Sequence, residues 1–386
     1  MSLFGDDDVI YDDGFDEADE NGASVPALSA PQSMPFCLGH GGQERFFLDL
    51  FAKDALPHAM IFSGLEGIGK TTMAFRLARF LLRHGKVDDA QDALFGDTAL
   101  PKDSFVSLSV GEDDPVFSRI ASGGHADLLH IARAYDATKN KYDAMLKVEA
   151  LRKIEPFLRK TSSEGGWRIV IVEDADRMNR NAQNAILKIL EEPPSNVLII
   201  LIAHRIGALI PTILSRSRVV DFSSLSKEDI KDLLARQGQI LPAQEMDTLY
   251  DLSGGSVGQA LSYVEGGGLE MLSTILDHLN DMPSWKWARI HELSSTLSNT
   301  SQDKEYRLFA KLLPWVFRRI LFFKARGEAS LPSYLNNPSL TRFFNETPLE
   351  RMIEIADNLK QHFDRVDFSN LDRRDAVRGG FLVISE

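Results

Sequence analysis

With 386 residues the chain is long enough for two or three domains that each bury a core, and its 44% apolar and 26% charged residues are ordinary for a globular protein. It has no apolar run long enough to span a bilayer, no expected signal peptide, and one cysteine, Cys37, which excludes an internal disulfide and a multi-cysteine zinc site. The net charge of −13 includes nine acidic and no basic residues at positions 1–22, so the remainder carries only −4 and offers no general basic field for nucleic acid. No membrane role is expected, and a reducing cytoplasm fits the cysteine usage. Any DNA contact has to be local or shared with partner chains.

Residues 1–33 read as a disordered tail, acidic at first and then rich in Ala, Ser and Pro. A solubilising role is the simplest reading, and a phosphate mimic aimed at a partner's DNA site is the alternative. Residues 43–51 have helical spacing, 58–63 read as a short buried strand, and 72–82 read as helix again. Between the last two lies Gly64-Leu65-Glu66-Gly67-Ile68-Gly69-Lys70-Thr71, which fits G-x-x-x-x-G-K-[ST] in the strand-to-helix setting its chemistry requires. Glycines let the backbone wrap a phosphate chain closely, and the helix start adds its positive dipole end. Lys70 would reach the β- and γ-phosphates, and the Thr71 hydroxyl would hold Mg²⁺. Gly64, Gly67, Gly69, Lys70, Thr71 and Thr72 are thus the expected nucleotide-binding residues, with ATP and Mg²⁺ as ligands.

Residues 84–126 mix acidic, glycine-containing and short apolar segments, with a turn expected at 121–124. Residues 127–132 suggest a strand. His125 and His130 have no cysteine or third histidine nearby, so no metal is expected there. Amphipathic spacing predicts one helix over 147–160. Residues 167–172 form a β-branched run that reads as a central parallel strand, and Glu173-Asp174-Ala175-Asp176 follows at once. Carboxylates there suit the Mg²⁺ ligand and water-positioning base of a P-loop fold; an acidic strand-end loop is the plain alternative. A helix at 181–191 stopped by Pro193-Pro194, a doubly buried strand at 196–203, and a strand at 219–222 after Ser215-Arg216-Ser217-Arg218 complete the pattern. Strands alternating with helices predict a doubly wound, mainly parallel α/β sheet.

From 225 the pattern turns helical. Ser226 and Asp229 have capping-box spacing, and helices are expected at 227–236, 243–252 and 256–264, forming a small helical domain. Gly266-Gly267-Gly268 reads as a linker. Residues 269–386 are helical by pattern, with an apolar segment at 306–323 bent at Pro314.

The stretches 58–82, 164–205 and 209–218 together resemble the clamp-loader branch of the AAA+ ATPases, most closely its delta-prime type of DNA polymerase III subunit. The helix ending in Leu190-Glu191-Glu192-Pro193-Pro194, with a Ser-Arg element beyond it, carries the resemblance more specifically than the P-loop does. The resemblance implies an AAA+ domain at 34–223, a helical lid at 224–266 and a helical collar at 269–386. It implies a five-subunit ring with gamma/tau- and delta-type subunits that uses ATP to open a sliding clamp and place it on primer–template DNA. Arg216, in Ser215-Arg216-Ser217, is by this resemblance an arginine finger offered to a neighbour's ATP. The zinc module that many relatives carry after the P-loop helix would be lost here.

Three departures bear on mechanism, the first being that the family's Ser-Arg-Cys element appears here as Ser215-Arg216-Ser217, with the arginine kept. Active members have Asp-Glu where this chain has Glu173-Asp174, so Glu173 at the metal position would crowd Mg²⁺. Asp174, one methylene shorter than Glu, would fall short of an attacking water. A lid arginine of active members corresponds here to Gly258. The expectation is a subunit that holds ATP weakly, hydrolyses it poorly, and acts on a neighbour's nucleotide. The rivals are an active gamma/tau-type loader ATPase and an autonomous P-loop enzyme.

Overall fold

The structure, a computed structural model, describes residues 30–85, 101–136, 141–299, 302–369 and 372–385. Its contacts fall into two units, Met1–Ile240 with Gly254–Gln259, and Leu241–Ser253 with Ala260–Glu386.

In the first unit α1 (Gly41–Ala52) leads into β1 (Ala59–Ser63) and α2 (Lys70–His84). Next come α3 (Pro115–Ala121), β2 (Leu128–Ile131), and a small antiparallel hairpin of β3 (Tyr135–Asp136) and β4 (Lys141–Tyr142). The short helices α4 (Val148–Leu151) and α5 (Ile154–Leu158) precede β5 (Arg168–Val172) and α6 (Arg180–Glu191). The unit closes with β6 (Val197–Ala203), α7 (Pro211–Leu214), β7 (Arg218–Asp221) and α8 (Lys227–Arg236). The main sheet has the order β2-β5-β6-β1-β7, and every pairing in it is parallel.

Every residue of β5 and β6 is buried, as runs without polar alternation require. At roughly 1.5–3 kcal/mol for each buried Val, Leu or Ile side chain, burial of the run Val197–Ile202 is a large part of what holds β6 at the sheet centre. The chain leaves β1, builds β2, β5 and β6 on one side of it, then crosses to β7 on the other. Such a switch point opens a crevice at the carboxyl ends of the strands, where ligands bind in sheets of this kind.

Three expectations need correction. Residues 147–160 are not one helix. Pro156 has no N–H to give and its ring clashes with the carbonyl four residues back, at Arg152; α4 accordingly stops at Leu151 and α5 begins at Ile154. The supposed tail does not extend to 33: Pro31–Ser33 form a 3₁₀ turn, and the buried guanidinium of Arg79 donates to the carbonyls of Gln32 (3.3 Å) and Met34. Arg76 does the same for Pro35 while pairing with Glu44 at 2.8 Å. Residues 1–29 lie outside the described residues. The three glycines at 266–268 are not a linker but a tight turn, in which Gly267 takes φ 73° and Gly268 already begins the next helix against the Tyr263 ring.

The helices beyond are α9 (Ala243–Ser253), α10 (Val257–Glu265), α11 (Gly268–Leu279), α12 (Trp287–Leu297), α13 (Asp303–Ala325), α14 (Pro338–Glu346), α15 (Leu349–Ser369) and α16 (Arg373–Ser385). In the second unit α13 is the core helix, with ten buried residues from Tyr306 to Ile320 including Pro314. The ring of Phe381 on α16 meets those of Phe309 and Trp285. Arg319 on α13 pairs with Asp251 on α9 at 2.7 Å, and the Tyr334 hydroxyl donates to the same carboxylate.

Candidate functional site

The register of the sheet builds the site. Ser63 ends β1 opposite Ala203 at the end of β6, so Gly64 and His204 leave the sheet side by side. Gly64 has φ 146°, and a Cβ there would lie 2.3 Å from the Phe222 carbonyl, so the first loop position admits glycine alone. Gly69 takes φ 100° and turns the chain directly into α2, which starts at Lys70 as the motif requires. Gly67 is closed over by the start of α10: its carbonyl accepts from the Gly258 N–H at 3.0 Å, and a Cβ on Gly67 would meet the Ser256 hydroxyl just before that helix at 2.5 Å. Gly258, which brings no guanidinium, is thus a backbone clasp on the P-loop.

Lys70 is buried, 3% exposed. Its ammonium donates to the loop's own carbonyls, Gly64 at 2.6 Å and Leu65, and lies 3.0 Å from Nδ1 of His204. The far nitrogen of that ring, Nε2, is 2.9 Å from Asp174 Oδ1, and Arg133 Nε donates to Asp174 Oδ2 at 2.6 Å. With its proton on Nε2, His204 accepts from Lys70 and donates to Asp174, so one polar chain runs Lys70–His204–Asp174–Arg133. Burial alone would raise the Asp174 pKa, but the hydrogen bonds from His204 and Arg133 outweigh it and bring it down to about 2. Burial pulls Lys70 down to about 7, against the opposing pull of Glu66, Asp176 and Asp174. Asp174 adopts φ 51°, a left-handed conformation uncommon for a residue with a side chain, and its partners offset that strain.

The other carboxylates are also committed. Glu173 Oε1 lies 2.9 Å from Nε2 of His130 on the neighbouring strand β2. Asp176 accepts from the His204 backbone N–H at 3.0 Å and faces Arg205 at 3.6 Å. Glu66, inside the loop, has its pKa raised by burial and by Asp174, with His204 and Arg133 pulling the other way.

Beside the loop a cavity of about 260 Å³ is lined by Gly69, Lys70, Thr71 and Thr72 on one side and by Met34, Phe36, Leu38, Leu225, Leu233 and Val257 on the other. Its apolar wall suits a flat base, and the α2 start with its free N–H groups suits the attached phosphates. Neither Thr71 nor Thr72 makes a side-chain hydrogen bond among the described residues, so the Thr71 hydroxyl is open to a cation. The residues therefore fit a nucleotide with Mg²⁺ on Thr71. They do not fit a carboxylate-positioned water, because Glu173 is engaged by His130 and Asp174 by His204 and Arg133. Cys37 lines the same cavity as a half-buried thiol, its pKa pushed by desolvation up to about 12, and donates weakly to the Gly69 carbonyl.

Arg216 takes no part in the chain around Lys70. It follows α7, is about one-third exposed, and pairs with Glu191 at the end of α6 at 2.9 Å, with longer bonds to the Thr212 carbonyl and the Ser215 hydroxyl. Arg218, on β7, lies with its guanidinium over the Phe46 ring. His204, Arg133 and Glu66 escaped the sequence reading. A signal for His204 was present: it stands after β6 as Glu173 and Asp174 stand after β5. Nothing local marks Arg133.

Residues 111–226 match a family described as DNA polymerase III, delta subunit. A DNA polymerase III subunit delta' of Pseudomonas aeruginosa is 34% identical over 137 residues, covering 36% of this chain and 40% of that protein. The Bacillus subtilis subunit delta' is 30% identical over 187 residues, 48% of each chain. A subunit gamma of Buchnera aphidicola subsp. Schizaphis graminum is 26% identical over 239 residues, 61% of this chain and 58% of that one. The chain thus spans about half the length of the curated relatives it matches. The family match contains Arg133, Glu173, Asp174, His204 and Arg216 but begins after the P-loop.

Proposed function

We propose that the chain is a clamp-loader subunit of the delta-prime type. It acts in DNA replication within a five-subunit ring of gamma/tau- and delta-type partners, which loads a sliding clamp onto primer–template DNA with ATP. The reading divides the chain into an AAA+ domain at 34–223, a lid at 224–266 and a collar at 269–386, and it places the work in the cytoplasm. The observation that carries it is the commitment of the reactive groups. The loop and cavity suit a nucleotide, yet Lys70, Glu173 and Asp174 are engaged by the protein itself. Bound Mg²⁺ would supply charge neutralisation on the phosphates. This chain's residues would seat the base against Met34, Phe36 and Leu38 and present N–H groups from Gly67 to Thr71. Lys70 would exchange its carbonyl partners for phosphate oxygens. Turnover is poor because Asp174 is tied to His204 and Arg133 and cannot hold a water.

Arg216 serves a neighbour's nucleotide. Its exposed guanidinium has fixed charge and planar donors that match phosphate oxygens, and its bond to Glu191, an exposed pair worth about 0–1 kcal/mol, is readily exchanged.

A second reading, an active gamma-type ATPase, is favoured by the intact motif and by the gamma relative's longer match. Reconstitution with gamma/tau- and delta-type subunits, clamp and primed DNA separates the two. The delta-prime reading expects clamp loading that requires this chain, with negligible hydrolysis by the chain alone. Lys70-dependent turnover by the isolated chain, at about one per second or faster, would assign it to the gamma type.

A further inference from the structure

The face made by α4 and α5 beside the sheet edge β2 carries charge that the fold leaves unbalanced. Most cations nearby are paired: Lys147 with Asp143, and both Arg159 and Lys188 with Glu155. Arg152, Lys153 and Lys160 are exposed, and their side chains have no ion pair or hydrogen bond among the described residues. These three line an open cleft of about 400 Å³ whose floor is Leu129, Pro156 and Phe157 and whose one acidic lining residue is Glu149.

We propose that the occupant of this cleft is the chain's own acidic segment, residues 3–17. That segment interleaves seven carboxylates with Leu3, Phe4, Val9, Ile10, Tyr11 and Phe15. It therefore offers both things the cleft asks for, negative charge for the rim and apolar side chains for the floor. Nucleic acid fits less well. A duplex backbone has no use for an apolar floor, and Phe157 is no free stacking platform, because the Arg168 guanidinium already lies 4.2 Å from its ring centroid. Arg79 fixes the chain at Gln32, and residues 18–29 at full extension would span about 40 Å from there. The segment then covers an exposed cationic surface until a competing polyanion or partner displaces it.

The test is zero-length carbodiimide crosslinking of the intact chain at low concentration, with crosslinks located by mass spectrometry. Carboxylates of residues 6–17 should join Lys153 and Lys160 in preference to other exposed lysines such as Lys53, Lys102 and Lys286. The yield should not depend on protein concentration and should fall several-fold in Arg152→Glu and in the Phe4→Ser, Phe15→Ser double variant. Crosslinks spread over the surface lysines in proportion to their exposure would overturn the proposal. So would the same crosslinks found only in covalent dimers. In a parallel arm, a short primed oligonucleotide is added. If it shields Lys153 and Lys160 while the segment never crosslinks to them, the cleft belongs to nucleic acid and the proposal fails.

Discussion

Replacing Arg133 with Met keeps the side chain's length and removes the N–H that holds Asp174 at 2.6 Å. Both partners are 15% exposed, so the bond is poorly screened. A hydrogen bond to a charged group in such a place is worth about 1.5–3 kcal/mol. The Asp174 pKa of about 2, which His204 and Arg133 set together, gives an upper bound. Held that far below the unfolded value near 3.9, the carboxylate contributes about 2.5 kcal/mol in full. Because the folded pKa is depressed, this stabilisation is present above about pH 4, is roughly halved near pH 3, and is lost as pH falls through 2. In Arg133→Met the carboxylate's pKa rises toward its ordinary value while His204 stays in place. The variant's deficit should therefore be largest at pH 7 and shrink by pH 3. Urea unfolding at both pH values reads it, with a midpoint shift of about 1 M expected at pH 7 for a typical urea slope. An equal deficit at the two pH values would mean that Arg133 acts by packing, for example on the Tyr142 ring, and an unchanged midpoint would refute the polar chain altogether.

Nucleotide binding should take up protons, since phosphate would return Lys70 from about 7 toward its ordinary range; calorimetry at pH 8 in buffers of different ionisation enthalpy should show uptake approaching one proton, and none in Lys70→Ala. Gly258→Ala places a Cβ 3.0 Å from the Gly67 Cα, so the clasp has to open at a cost of about 1–3 kcal/mol, read as a lowered melting temperature. Removing residues 1–22 should leave the melting temperature within a few degrees, whereas removing 1–36 strips Arg76 and Arg79 of their carbonyl partners and should lower it well beyond that. Metal analysis of chelator-free protein should find no stoichiometric zinc, because Cys37 has no partner cysteine.

Much of the first unit was legible because its strands follow from composition alone. A run such as Val197–Ala203 has no polar alternation, so it can only be a strand covered on both faces, and the P-loop then fixes where β1 ends and α2 begins. The capping box at Ser226 and Asp229 was equally plain, and both of its bonds are present. The Pro156 break was readable but was masked by the amphipathic spacing around it. The docking of Gln32 and Met34 was not readable, because Arg76 and Arg79 look like the outer face of a helix until the tertiary fold buries them. The candidate site divides the same way. Its loop and acidic pair are local patterns, while Arg133 and His204 join them only because parallel strands end at one edge.

The central claim is that this chain works on a neighbour's nucleotide through Arg216. The direct test compares reconstituted rings carrying Arg216→Ala or Arg218→Ala in their clamp- and DNA-stimulated ATPase and in clamp loading. Known arginine fingers are worth roughly 10³–10⁵ in rate at their own site, but only one of several sites is touched here. The account predicts that Arg216→Ala assembles normally, loses part of the total hydrolysis and most of the loading, while Arg218→Ala behaves as the parent. Normal loading and hydrolysis by the Arg216→Ala ring, beside a failing Arg218→Ala ring, would contradict it.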